Sequence, residues 1–306
     1  WTITKWEVDR EYKIGIGFFS DVYKGVWRGR DVAIKILAQT TPRMLFRNEI
    51  AIWASLKHPN VLELFGASSA TGDPPWFFVS PYMKNGTAVS FLKARAAERG
   101  RGAYPGPLQM MREIAVGMSY LHRKGVLHGD LKAANVLIDD DFHCVISDFG
   151  QSQLRSEVYR LSQKPRPHGT LRWQSPEIMS GESTLTPQAD VYAFAIVCVE
   201  ILTSGELPWP MLDDQNVQVL VLRAIPTHPE RSFALTSLIE GCWYLSPLYR
   251  PTFEEIARIM NQLIGGLSAQ LLMPPQSSPS PRPRSGSITE ENENRSPDIA
   301  PSDSGK

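Results

Sequence analysis

His128-Gly129-Asp130-Leu131-Lys132-Ala133-Ala134-Asn135 runs directly into the apolar triplet Val136-Leu137-Ile138, and a second triplet, Cys144-Val145-Ile146, leads to Asp148-Phe149-Gly150. Each polar cluster alone reads as an ordinary turn beside a short strand. Together, with Asp148 18 residues beyond Asp130, their order and spacing are hard to produce by chance.

Toward the N-terminus, Tyr12 to Leu37 reads as three strands. A Gly-rich turn at Gly15 and Gly17 precedes the alternating Val22-Tyr23-Lys24, and Val32 to Leu37 is β-branched and follows the Gly29/Asp31 turn. Glycines between two strands let backbone N–H groups approach phosphate oxygens. Ser20 stands where a third glycine is usual. Lys35 closes Val32-Ala33-Ile34-Lys35, one cation in an apolar strand. A solvated edge amine is the plain reading; a buried ammonium instead requires an anion and a counter-charge. Glu49 can supply the counter-charge, because Leu45, Glu49, Ile50, Trp53 and Leu56 recur at helical spacing. Val61 to Leu64 and Trp76 to Val79 read as two further strands.

Toward the C-terminus, helical periodicity takes over from Thr87. Leu108, Met111, Ala115, Met118 and Leu121 form one apolar face, with Gly125 as a left-handed stop. Val191 to Leu202 is apolar nearly all round, which predicts a helix buried in the centre of a helical lobe. From Gly265 to Lys306 the chain carries seven of its 24 Pro and no Phe, Tyr or Trp, so it has little to bury against the entropy of ordering. Residues 265–306 are therefore expected to be a disordered Ser/Pro-rich tail.

The 306 residues fit one large domain or two modest ones at roughly 100 to 200 residues each. Lys+Arg and Asp+Glu balance at 32 each, which removes any bulk-charge argument for nucleic acid or an anionic membrane. The strongest apolar run falls short of the roughly 20 residues that span a bilayer. Cys144, Cys198 and Cys242 form no CxxC pair and no zinc-ligand spacing. Three structural thiols point to a reducing, cytoplasmic setting.

The motif set resembles the eukaryotic protein kinase family over roughly residues 8 to 264. Besides the segments quoted, it includes Ser175-Pro176-Glu177, Asp190 and Arg250. The resemblance implies an α+β, two-lobed fold: a small antiparallel N-lobe sheet with one helix to about residue 80, a hinge at 81–86, and a larger, mainly helical C-lobe over 87–264. It implies ATP and Mg2+. Lys35 should hold the α/β-phosphates and pair with Glu49, Asp130 should orient the substrate hydroxyl, and Asn135 and Asp148 should hold the metal. Ile14, Gly15, Gly17, Val22, Ala33, Ser80, Pro81, Met83 and Leu137 should surround the nucleotide. Ser80 would be a small gatekeeper, with Pro81 offering a carbonyl and Met83 an N–H to the base. Trp53, Leu64, His128 and Phe149 align as the stack that joins the lobes, Glu177 and Arg250 as an ion pair, and Asp190 as the anchor of the catalytic loop.

Lys132 and Thr170 are similar to their counterparts in kinases acting on Ser/Thr, and Trp173-Gln174 resembles the tyrosine-kinase-like group of those enzymes. A protein substrate in intracellular signalling is the implied partner. A pseudokinase scaffold is the alternative class, favoured only by Ser20 and Gly129. A Tyr-directed or dual-specificity enzyme is opposed by Lys132. Gly129 replaces the Arg that in many relatives meets an activation-segment phosphate, so phosphorylation at Ser152, Ser156, Tyr159, Ser162 or Thr170 is not expected to be required. Lys164, Arg166 and His168 read as solvated loop charges. In the tail, Arg282 and Arg284 precede Ser285 and Ser287 by three residues, and Ser278, Ser280 and Ser296 precede Pro. A phosphoserine-reading adaptor is one reading of that pattern, and a plain linker the other.

Overall fold

Two hairpins built on alternating side chains begin the fold. In the computed structural model, which describes residues 2–17, 20–69, 71–73, 75–98, 104–149, 168–181, 184–222 and 233–272, β1 (Val8–Ile16), β2 (Ser20–Trp27) and β3 (Arg30–Leu37) pair antiparallel in sequence. Arg28 and Gly29 join β2 to β3 with φ of 52° and 73°, the left-handed pair that a tight two-residue hairpin requires. The sheet order is β1-β2-β3-β5-β4, with β4 at Gly66–Ala67 and β5 at Phe77–Pro81. The expected strand at Val61 to Leu64 is a correction. Val61 bridges to His58 and Ile146, and the Leu62 N–H donates to Ile146 O at 2.9 Å, so this segment is pinned to the lower lobe, and sheet pairing begins only after it, at Phe65, whose N–H donates to Val79 O at 2.9 Å. A short apolar run signals burial without saying what buries it.

The inner face of the sheet carries α1 (Arg43–Trp53). Phe46 stacks on Trp76 at 5.2 Å and meets Phe78 at 5.1 Å, and Trp53 meets Phe78 at 5.4 Å. On the outer face, Ile3, Val32, Ile34, Phe77 and Val79 make a second small core. Ile3 arrives there through its N–H, which donates to Ala67 O at 2.9 Å.

The second lobe starts at a capping box, Thr87 and Ser90, which satisfies the first turn of α2 (Ala88–Ala97). Along α3 (Pro107–Arg123) the predicted apolar face is buried at Met111, Ala115, Met118 and Leu121 and half-buried at Leu108, and Gly125 at φ 72° ends the helix: Val126 N–H donates to Leu121 O, and Gly125 N–H to His122 O. A hairpin of β6 (Val136–Ile138) and β7 (Cys144–Ile146) follows. After a short α4 (Pro176–Met179), α5 (Pro187–Leu202) is the predicted central helix, buried from Ala189 to Cys198. Around it lie α6 (Asp214–Leu222), α7 (Phe233–Cys242) and α8 (Phe253–Leu272). One apolar cluster runs from Phe46 and Trp53 through Phe149 to Phe194 and Phe253, so a single core spans both lobes. The expected α+β, two-lobed architecture is observed.

The boundary expected at 264 falls inside α8, whose helical backbone continues to Leu272. Past Gly265 and Gly266 the sequence returns to good helix formers and meets no Pro before Pro274. The tail motif at Arg282 to Ser287, the Ser-Pro sites, and Ser152, Ser156, Tyr159, Ser162, Lys164 and Arg166 lie outside the described residues, as do the side chains of His168 and Thr170. All three cysteines are buried and free. Among the described residues no helix is long and apolar enough to cross a membrane.

Candidate active site

Strand register builds the roof of the cleft. Gly15 pairs with Val22, Val22 with Lys35, and Ala33 with Ser80, so residues from β1, β2, β3 and β5 share one neighbourhood. Gly17 N–H closes the Gly-rich turn on Ser20 O at 2.7 Å. Below, Leu137 on β6 provides the floor. It is tied to the hinge, because Ile138 N–H donates to Gly86 O at 2.9 Å and Thr87 bridges to Leu137. Between roof and floor lies a cavity of about 540 Å³ lined by Ile14, Gly15, Val22, Ala33, Ser80 and Met83 together with Lys35, Leu137 and Asp148. It continues past the buried Ser80 to Glu49, Trp53, Leu62 and Phe149. Apolar walls with a few convergent polar groups are the usual form of a small-molecule site.

At the back of the cleft the Lys35 ammonium is 2.8 Å from Asp148 Oδ1 and 3.7 Å from Glu49 Oε1. The expected partner Glu49 is present, and Asp148 is the nearer one. Asp148 has φ 56°, a left-handed backbone that costs energy outside glycine and clusters at functional sites. Trp53 meets Phe149 edge-on at 5.9 Å, and its indole N–H donates to Leu62 O at 2.7 Å.

The loop after His128 is organised around two buried carboxylates. Asp130 Oδ2 lies 3.2 Å from Lys132 Nζ and accepts from Asn135 Nδ2 at 2.9 Å; the same Asn135 amide donates to Asp130 O at 2.7 Å. Asn135 thus commits its nitrogen inward, which makes its carbonyl oxygen the atom for a cation. Asp190 accepts from the N–H groups of His128 and Gly129 at 2.9 and 2.8 Å, and lies 2.9 Å from His122 Nε2. Gly129 has φ 72°, which glycine adopts without penalty. Farther out, Arg250 clasps Glu177 with two bonds of 2.7 and 2.8 Å. Burial pushes the Glu177 carboxyl up, but the hydrogen bonds and charge of Arg250 prevail and hold it below its ordinary value.

Two site-supporting residues escaped the sequence reading. Glu200, 3% exposed on α5, accepts from Ala133 N–H and from the Trp173 indole. Burial raises its pKa to about 7 against the opposing pull of those donors and Lys132. Arg172 is buried and donates to the carbonyls of Pro208, Trp209 and Leu212, with Asp214 at 3.1 Å. A lone charge inside an apolar helix was the available signal for Glu200. Nothing local marks Arg172.

This interlocked loop, the Lys35 bridge and the cleft between two lobes coincide with a profile match. The profile described as protein tyrosine and serine/threonine kinase covers residues 8–260. The chain belongs to the protein kinase family. A probable serine/threonine-protein kinase of Dictyostelium discoideum is 36% identical over 82% of this chain and 27% of its own length. Serine/threonine-protein kinase STY17 of Arabidopsis thaliana is 33% identical over 85% of this chain and 46% of its own. A dual specificity protein kinase of D. discoideum, splA, is 32% identical over 82% of this chain and 11% of its own. The chain thus spans less than half the length of these curated relatives.

The donor set fits magnesium. Among the described residues no group of three His, Cys, Asp or Glu side chains converges. A hard cation that keeps its waters and borrows oxygens from phosphates needs only one or two protein ligands, and Asp148 and Asn135 offer hard oxygens.

Proposed function

We propose that this domain is an ATP- and magnesium-dependent serine/threonine protein kinase. The observation that carries the reading is the Asp130 carboxylate, held by Asn135 and flanked by Lys132, on the loop whose Ala134 and Leu137 line the cleft together with Lys35 and Asp148. The adenine lies between Val22 and Ala33 above and Leu137 below, with Ile14 and the Gly15/Gly17 turn over the nucleotide and Pro81 and Met83 at its edge. Lys35, oriented by Glu49, meets the α/β-phosphates. Asn135 and Asp148 hold magnesium, which when bound neutralises phosphate charge. Asp130 orients the substrate hydroxyl and takes its proton as the oxygen bonds to the γ-phosphorus. The bond from that phosphorus to the β–γ bridging oxygen breaks, and ADP leaves. Lys132 offsets charge on the transferring group.

The intact lysine and both carboxylates oppose a pseudokinase. The name of splA keeps dual specificity in view, and Lys132 favours Ser/Thr. The buried free thiols suit a reducing compartment, for which the cytoplasm is our proposal. The test uses labelled ATP, a generic protein mixture and phosphoamino-acid analysis. Phosphoserine and phosphothreonine should form with the wild type, and Asp130→Asn should retain nucleotide binding while losing most turnover. Wild-type turnover in Asp130→Asn would refute the assignment.

A further inference from the structure

Tyr244, Leu245, Leu248 and Tyr249 are 55%, 50%, 91% and 74% exposed, four large apolar side chains within one short loop between α7 and α8. The two tyrosine rings lie 6.2 Å apart at 61°, edge to face. This loop is held from beneath. Buried Arg250 donates to Tyr244 O at 2.8 Å and to Leu245 O at 3.2 Å while it clasps Glu177, and Pro247–Tyr249 is a short 3-10 turn. Single exposed apolar residues are ordinary, but a group of them on a fixed loop has the form of a contact surface.

Phosphoryl transfer uses neither this surface nor residues 273–284, which carry Pro274, Pro275, Pro279, Pro281 and Pro283 with Arg282 and Arg284, and which lie outside the described residues. Three features match one to the other. Proline-rich chain is recognised by exposed aromatic rings, because its extended helix is preformed and loses little freedom on docking. Reach is sufficient. From beside Tyr249 to Leu272, α8 rises about 30 Å, and a polyproline II chain recovers about 31 Å in ten residues, enough to return Pro281 and Pro283 to the loop. Charge agrees as well, since that return brings Arg282 and Arg284 toward the acidic first turn of α8, at Glu254 and Glu255, and complementary charge fixes register.

We propose that Tyr244, Leu245, Leu248 and Tyr249 form a docking surface for this chain's own residues 279–284, bound in polyproline II form with prolines on the tyrosine rings. The docking does not depend on the transferase reading. A short flexible tether gives an effective concentration of about millimolar, so a contact that a free peptide makes only at millimolar concentration is about half populated within the chain.

The test places a spin label on the full chain at Ser285→Cys, which reacts selectively because Cys144, Cys198 and Cys242 are buried. Paramagnetic broadening of the amide signals of residues 244–249 is then read by NMR. Tyr244→Ser/Tyr249→Ser and, separately, Pro279→Gly/Pro281→Gly/Pro283→Gly should each reduce that broadening about fivefold, since a tenfold weaker contact takes a half-populated state to about a tenth. The glycine variant alters no described residue, so it decides the matter if the tyrosine variant melts at a lower Tm. Broadening that is absent in the wild type, or unchanged in the glycine variant, overturns the proposal. A second sample mixes spin-labelled chain with unlabelled, isotope-enriched chain and should show little broadening at 244–249. Broadening there as strong as within one chain would make the occupant a second copy, and overturns the proposal also.

Discussion

Lys35 Nζ and Asp148 Oδ1 meet at 2.8 Å although 113 residues separate them in the chain. Lys35 stands on β3 of the upper lobe, and Asp148 follows β7 of the lower one. With Glu49 also at 3.7 Å, one ammonium lies between two carboxylates at the back of the cleft. That arrangement ties β3 and α1 of the upper lobe to the segment after β7 of the lower one.

Removing the ammonium therefore removes a cation that both carboxylates meet. Lys35→Met is expected to lower phosphoryl transfer by about 10²–10³-fold, as losing one preordered electrostatic contact does elsewhere. An ATP titration with a protein substrate checks it, and a rate within about threefold of wild type would contradict it.

Asp190 serves two loop N–H groups and His122, all from one side chain that is 1% exposed. Asp190→Ala leaves buried donors without their acceptor and should cost about 2–4 kcal/mol in urea unfolding, with turnover falling as the loop loosens. Asp190→Asn, which keeps one acceptor oxygen, should fall between. Equal stability of the alanine variant and wild type would mean that the loop is held elsewhere.

The depressed carboxyl of Glu177 makes an acid-side prediction. A carboxylate whose folded pKa lies below its unfolded value of about 4.3 adds stability above that pH, and the addition disappears as pH falls through the folded pKa. Glu177→Gln should therefore be less stable than wild type at pH 7, and the gap should narrow on acidification below about pH 4.3. Melting curves for both proteins from neutral pH to pH 3 test this. A gap that stays constant would show that the charge on Glu177 is not what Arg250 needs.

Gly129 offers no side chain to a phosphate, whereas Arg172 and Trp173 anchor the end of the segment through carbonyls and carboxylates of the chain itself. A phosphatase-treated preparation should accordingly give a progress curve that is linear from the start. A lag removed only by preincubation with ATP would sink this prediction.

Much of this was readable along the chain. Polar motifs are contiguous, so their order carried the family resemblance that implied two lobes and a shared cleft, and period-two alternation marked β2 and β3 while period 3.6 marked α1 and α3. Val61 to Leu64 failed because burial by the lower lobe and burial in a sheet leave the same apolar run. Helical backbone continues past residue 264 to Leu272, because a drop in aromatic content does not by itself end a helix that meets no Pro.

Partner choice is a different kind of information. Lys35 announced a need for counter-charge, but only the folded distances rank Asp148 ahead of Glu49. Glu200 announced an oddity, yet its two donors lie 67 and 27 residues away, and Arg172 reaches carbonyls 36 to 40 residues distant. Residue type fixes what a side chain can donate or accept. Which group receives the bond depends on distance, direction and loss of water, and those arise only when separate segments pack together.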